Sequence, residues 1–525
     1  MRSLDARTRA ELARIIQTHR ASLERLPGFL DARVGFPFVQ GWIVKKPAIL
    51  VYVDQKKSRD SLLASEIVPR TLDGAPVHVV QADPEWQLAR LAGFDEPAAA
   101  AVAAALSYRL MPGNPIDEEF TIEKQFLCHV GPDAGWPVLK KFLEGTRDTL
   151  SVAMYDFNAE WVATTFIEVV QNSDVKVTLT WDDGMTGDEP AIRRRIKREL
   201  GESLDAWVVE CGGSKRFQSA YHEKVAVRDS KSFWLSSGNW SNRSQPEIDP
   251  IADPQSARGM YSKGNREWHV IVDDAPLSKL FAKYIKYDRD GSEAEQSALA
   301  FRHRPRMADL FVPIAALVDV EAAAAVPRPV VPARLPSQPR AVKVRPLLTP
   351  DNYLKHIEDL LDSARSSVYL QYSYITYSEL PRDAKFRALL DKVGELTNDA
   401  DLDVRIIVGS AGAEEKIRAL VEAGYDDTKL RVQSNIHNKG IVVDGKRVLV
   451  SSTNWSGDGV LRNRDAGLII DDREVAEYYE RVFLDDWDHR AHASVGTSLA
   501  VRIAGEGEPT PPGMVRMSWN DYYGE

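Results

Sequence analysis

The same six polar residues occur twice in this chain at identical offsets, and this repetition limits the fold more than any other feature. One copy reads YHEKVAVRDSKSFWLSSGNW from Tyr221 and the other IHNKGIVVDGKRVLVSSTNW from Ile436. Aligned on His222 and His437, they share Lys224 and Lys439, Asp229 and Asp444, and a Ser-Ser-x-Asn-Trp element. That element supplies Ser236, Ser237, Asn239 and Trp240 in the first copy, and Ser451, Ser452, Asn454 and Trp455 in the second. Matched spacing of this kind predicts an internally duplicated fold rather than two unrelated domains.

The flanking patterns extend the repeat. An amphipathic helix is expected over VLKKFL (Val138–Leu143) and over YLKHIEDLL (Tyr353–Leu361). A β-branched and aromatic strand follows, LSVAMYDF from Leu150 and SVYLQYSYI from Ser367. After a second helix comes VKVTLTW from Val175 or DVRIIVG from Asp403. Strands alternating with helices predict α/β units with a largely parallel sheet. The repeats occupy residues 118–318 and 347–495. They are separated by a Pro/Ala-rich stretch at 319–346, read as an extended semi-rigid linker. Residues 1–115 read as a small α+β module. It has a helical pattern at Leu12, Ile15, Ile16 and Leu23, then strands AILVYV (Ala48–Val53) and PVHVV (Pro76–Val80), the second entered at Asp73-Gly74. Residues 496–525 form a C-terminal tail.

The residue types indicate the chemistry. His and Lys two apart on a strand face one side of the sheet, and Ser237, Asn239, Ser452 and Asn454 bring neutral donors from one strand away. Two such sets around one point suit a phosphate, whose charge is spread over several oxygens. One imidazole can attack phosphorus while the other protonates the leaving oxygen. Since no acidic cluster has the spacing of a two-metal site, the lysines are expected to supply the positive charge, with no metal or cofactor. Each copy is followed by Asn-Arg and an acid, Glu267 or Asp465. A carboxylate there can orient an imidazole by binding its outer nitrogen.

HxKxxxxD followed by a Ser-x-Asn element, present twice, resembles the phospholipase D superfamily over roughly residues 118–495. The resemblance implies a pseudo-twofold α/β pair of halves and a covalent phosphohistidine resolved by water or an alcohol. It assigns the nucleophile and acid/base roles to His222 and His437, and phosphate holding to Lys224, Lys439, Asn239 and Asn454. Asp229 and Asp444 match a structural position. Ser236 and Ser451 replace the glycine usual before the serine. The first copy alone carries an insertion from Asn242 to Gly264, read as a wall or lid, so 45 residues separate His222 from Glu267 against 28 from His437 to Asp465. The N-terminal pattern loosely resembles a module that opens some bacterial serine-protease-like proteins.

Composition narrows the partners. A net charge of −10 argues against sequence-independent coating of DNA. The Ala-rich run 97–106 is about half the length that spans a bilayer, so no transmembrane segment is expected, although peripheral membrane contact is compatible with the sequence. The start lacks a signal-peptide core, and two cysteines make no disulfide framework, which together suggest a cytoplasmic setting. Oligomeric state is not encoded in any visible pattern. The first substrate reading is a phospholipid, the second a nucleic acid cut by a metal-independent endonuclease, and the third a phosphate-binding protein with a slow or dead site. Trp240 and Trp455 read as core. His129, His269, His303, His356 and His489 read as surface or satisfied core residues, Cys211 as a buried thiol, and Lys215-Arg216 as a solvated turn.

Overall fold

A computed structural model describes residues 5–57, 59–84, 87, 108–173, 175–184, 188–212, 215–296, 309–314, 328–495, 501–505 and 507–523. The helix Ala6–Leu23 starts at Asp5, whose side chain accepts from the Arg7 and Thr8 N–H groups. It buries Leu12, Ile15, Ile16 and Leu23 against a four-stranded sheet built on Ala48–Val53. AILVYV is apolar throughout because both its faces are covered. Ile49, Val51 and Val53 meet the helix, whereas Ala48, Leu50 and Tyr52 belong to a separate core on the other face. This module abuts the second repeat, where the Tyr52 hydroxyl donates to Glu415 (2.8 Å) and the Phe36 N–H to Glu422 (2.9 Å).

Two eight-stranded sheets with the same strand order follow. Their strands, in chain order, are β1 (Phe120–Ile122), β2 (Phe126–Gly131), β3 (Thr149–Met154), β4 (Lys176–Asp182), β5 (Leu204–Val209), β6 (Lys224–Arg228), β7 (Ser232–Ser236) and β8 (Glu267–Val272). They continue with β9 (Ala333–Leu335), β10 (Val342–Leu348), β11 (Ser367–Tyr372), β12 (Asp403–Gly409), β13 (Leu430–Gln433), β14 (Lys439–Val443), β15 (Arg447–Ser451) and β16 (Ala466–Asp471). The first sheet runs β5-β4-β3-β6-β7-β8-β2-β9 and the second β13-β12-β11-β14-β15-β16-β10-β1. One large core lies between the halves, with the helices Ala275–Gln296 and Arg473–His489, and each half has its own outer core. Trp240 and Trp455 are fully buried in these outer cores.

Two expectations need correction. The sheets are mixed rather than largely parallel: β3, β4 and β5 are parallel, as are β11, β12 and β13, but the histidine motifs enter antiparallel hairpins. A turn of few residues can join only antiparallel neighbours. The Pro/Ala-rich stretch is also more than a spacer. Its residues 333–335 form β9 on the edge of the first sheet, antiparallel to β2, and β10 starts at Val342. In exchange β1, from the start of the first repeat, pairs with β10 on the edge of the second sheet. The first repeat thus supplies an edge strand to the second sheet, and the connecting stretch supplies one to the first. Residues 319–327 of that stretch lie outside the described residues. The tail is likewise tied in, since Arg502–Ile503 and Met514–Met517 flank Leu310–Pro313 in a three-stranded sheet. Among the described residues no helix is long and apolar enough to cross a membrane; the Ala-rich run 97–106 lies outside them.

Candidate active site

The turns of the two motif hairpins are held by Asp229 and Asp444, both in the left-handed backbone region (φ 53° and 55°). Each carboxylate accepts three successive backbone N–H groups at the entry to the neighbouring strand, Arg147 to Thr149 for Asp229 and Arg365 to Ser367 for Asp444. Partial burial raises their pKa values, but these donors outweigh it and both are lowered. Both aspartates anchor the hairpins.

At the other end of each hairpin, the residues before the lysine cross the seam between halves. The His222 N–H donates to the Arg464 carbonyl (2.7 Å) and the Arg464 N–H to Ala220 (2.8 Å). The His437 N–H donates to Arg266 (3.1 Å) and the Arg266 N–H to Asn435 (2.7 Å). This short parallel pairing sets each motif beside the Asn-Arg-acid segment of the opposite half, so the carboxylates are exchanged. Asp465 Oδ1 lies 2.6 Å from His222 Nδ1 in an aligned hydrogen bond. Glu267 Oε1 lies 2.7 Å from His437 Nδ1, within ion-pair distance though not aligned as a hydrogen bond. The insertion does not displace Glu267 from this role. With Nδ1 of His222 facing a carboxylate, its Nε2 keeps the free lone pair, and no protein group among the described residues bonds that atom.

Lys224 and Lys439 are fully buried, and each ammonium donates to the carbonyl of its own histidine, at 2.8 and 2.6 Å. Lys439 also reaches the Ser237 carbonyl of the first half (3.5 Å), which ties the two sets together. Asn454 Oδ1 accepts from the Ser373 hydroxyl (2.7 Å), which leaves the amide NH2 as the donor end; Asn239 is buried beside the first motif. Ser237 and Ser452 depart from the expected phosphate contact. Their hydroxyls donate to Glu267 Oε2 (2.6 Å) and Asp465 Oδ1 (2.7 Å) and accept from the Trp268 and Ala466 N–H groups. A hydroxyl has one proton to give, so these serines fix the carboxylates instead of a substrate.

The electrostatics of the two halves differ. Burial pushes Asp465 up to about 7, against the pull of Lys224 and the Ser452 hydroxyl. Burial raises Glu267 too, but the field of His437, with Lys439 and Ser237, reverses the effect and holds it at about 2. Burial lowers His437 to about 4 despite Glu267, and drives His222 well below its ordinary value with the help of both lysines. Lys224 is lowered by burial, against Asp465. Burial thus shifts both imidazoles toward the neutral form, a setting in which an arriving phosphate anion favours imidazolium formation.

Several supporting residues escaped the sequence reading. Arg266 pairs with Asp133 of its own half and Asp486 of the other; Arg464 pairs with Asp351 and Asp288 in the same pattern, and all six side chains are buried. The signal was present: an arginine precedes the acid in both copies, and Pro-Asp precedes the first helix in both. The Tyr155 ring meets the His222 ring edge-on (4.5 Å) and lies 5.0 Å from the Lys224 ammonium. Lys215-Arg216 is no solvated turn, because Lys215 pairs with Glu210 (2.8 Å) and Arg216 stacks on Tyr287 (4.2 Å). His129 and His269 stack in the core (4.7 Å), His356 binds Asp117 (2.5 Å), His489 is exposed, and His303 lies outside the described residues. Cys128 and Cys211 are free and buried. Asp182, Asp183 and Cys211 lie close together, but Asp182 accepts the Tyr221 and Gly184 N–H groups and acts as a brace before His222.

The insertion is anchored across the seam. Asn435, two residues before His437, accepts from the Arg243 guanidinium and donates to the Ser262 carbonyl (2.8 Å). The helix Pro254–Tyr261 ends on Tyr261, whose hydroxyl donates to Asp133 (2.9 Å) beside Arg266.

With this geometry in place, the comparisons identify the class. The family described as cardiolipin synthase, PLD-like domain, matches residues 139–289 and 357–487, and the chain belongs to this phospholipase D-like family. Residues 4–82 match the NARROW LEAF 1 N-terminal domain. The phospholipase D of Rickettsia felis is 30% identical over 148 residues, 27% of this chain and 65% of that protein. The mitochondrial cardiolipin hydrolase of Xenopus tropicalis is 31% identical over 102 residues, 19% of this chain and 49% of that protein. The chain thus spans just under two thirds, or less, of these relatives. Among solved structures, a phosphatidylserine synthase from Haemophilus influenzae is 14% identical, covering 74% of this chain and 93% of that one with a TM-score of 0.46.

Proposed function

We propose that the protein is a phosphodiesterase that cleaves phospholipids through a phosphohistidine, without a metal. The observation that carries this reading is the exchange of carboxylates, which makes one site out of two half-sites. His222 Nε2 attacks phosphorus as the nucleophile. The bond from phosphorus to the leaving oxygen breaks, and His437 Nε2 gives that oxygen its proton. Water or an alcohol then attacks the phosphohistidine and returns a proton to His437, freeing His222. Lys224, Lys439, Asn239 and Asn454 hold the phosphoryl oxygens as charge develops. The assignment of roles follows the asymmetry: the strongly ionised Glu267 favours a proton on His437, whereas His222 is held neutral. The phospholipid reading draws on the names of the relatives and on the acidic net charge.

The test is purified protein in EDTA, offered phosphatidylcholine and cardiolipin vesicles, plasmid, single-stranded DNA and RNA side by side. Headgroup release in chelator is the expected result. Cleavage of nucleic acid alone overturns the substrate, and loss of activity in EDTA restored by a divalent ion overturns the metal-free route.

A further inference from the structure

Ser244 stands in the stem of the insertion and is buried. Its hydroxyl donates to Glu267 Oε1 (2.7 Å), the oxygen that faces His437 Nδ1, while Ser237 takes Oε2. The seat of Ser244 is built rather than incidental. Asn265 Nδ2 approaches its oxygen (3.4 Å), the Asn265 N–H holds the Arg243 carbonyl (2.8 Å), and the Gln245 carbonyl accepts from the Trp161 indole (2.8 Å).

In the second half the oxygen that faces the imidazole, Asp465 Oδ1, takes the Ser452 hydroxyl of the motif itself, and among the described residues no second hydroxyl bonds this carboxylate. The residue at the same distance from His437 is Gly459, where a Cβ would fall 2.1 Å from the Asn454 carbonyl oxygen. There Asn463, the counterpart of Asn265, acts on the carboxylate Asp465 directly. The layer behind the carboxylate differs as well. His269 and His129 lie side by side on β8 and β2, and Gly467 and Leu347 are paired at the matching places on β16 and β10. The two halves therefore differ at the support of the carboxylate, and on the side that carries the insertion.

We propose that Ser244 is a positioning residue, supplied by the insertion, that locks Glu267 against His437 and so commits this histidine to proton transfer. The inference rests on the acid and nucleophile roles given above. The charged and titratable groups around Glu267 are His437, Lys439, Lys224 and His269, and Ser244 acts on the carboxylate they share. A neutral donor on an ionised carboxylate favours its charged form, and fixing one oxygen sets the orientation of the other.

Two readouts on the full chain test this, one independent of turnover. Glu267 ionisation is followed by carbon NMR of carboxyl-labelled glutamate, assigned with Glu267→Gln. In Ser244→Ala its midpoint should rise by about one pH unit. With a small chromogenic phosphodiester, Ser244→Ala should lower kcat about tenfold with KM within about twofold. In the Glu267→Gln background the same change should cost nothing further, because the two act as one unit. If Ser244→Ala does not fold, Ser244→Cys, of similar size and a poorer donor, carries the same expectations. An unmoved Glu267 midpoint, or losses that multiply in the double variant, overturns the proposal. A wild-type protein that cleaves no diester overturns the functional reading instead, and the NMR titration still decides the role of Ser244.

Discussion

Each histidine in the site owes its orientation to a residue from the other half, and Asp465 shows what that costs. Its folded pKa of about 7 exceeds the ordinary carboxylate value of about 3.9. Between those values the folded protein holds a proton the unfolded chain has lost, so the group removes stability as pH rises through that window. Asp465→Asn should therefore unfold at a higher temperature than wild type at pH 8, with the gap closing by pH 4. The same variant should lose about 10²- to 10⁴-fold in kcat, as expected when an imidazole loses its orienting acid. A variant that is equally active, or whose stability relative to wild type is no greater at pH 8 than at pH 4, contradicts this view of Asp465. The residues of the site were largely legible because His, Lys, Asp and Asn recur at fixed offsets. The exchange of acids was not, because it depends on backbone pairing across the seam. The serines were misassigned for a related reason: offset places a hydroxyl near the phosphate but does not say which acceptor takes its proton.

At the scale of elements, we propose that the insertion acts as a wall with a supporting stem. Tyr261 and Asn435 pin its far end to the seam, and Ile251 and Met260 stand exposed on it. Replacing Glu247–Gly259 with a short Gly-Ser bridge keeps Ser244, Gln245 and Tyr261. That variant should cleave the small diester as well as wild type while its preference among large substrates shifts. Equal losses on small and large diesters in a folded protein would mean the wall supports the catalytic groups themselves. Individual strands were readable from β-branched runs, as AILVYV and DVRIIVG show. Their pairing was less so, because alternation of helix and strand does not reveal where a tight turn reverses the chain. Tight turns at Asp229 and Asp444 put the motifs on antiparallel hairpins.

The whole molecule is one site shared by two halves that cannot easily part. Strands β1 and β9 are traded between the sheets. Arg266 and Arg464 each bridge aspartates from both halves, and removing one partner from such a buried pair costs about 3–5 kcal/mol. A Pro/Ala-rich composition cannot show that part of a connection adds a strand to a distant sheet edge, so the linker was read as a spacer. The duplication itself could be read from the paired motifs alone. The most direct test of the proposed site is to mix the protein with a phosphorus-labelled diester in EDTA, quench within the first turnover and map the label. The mechanism predicts an acid-labile phosphate on His222, absent in His222→Ala and accumulating in His437→Ala with a diester whose leaving group needs no proton. Label on His437, or turnover with no covalent phosphate at all, contradicts it.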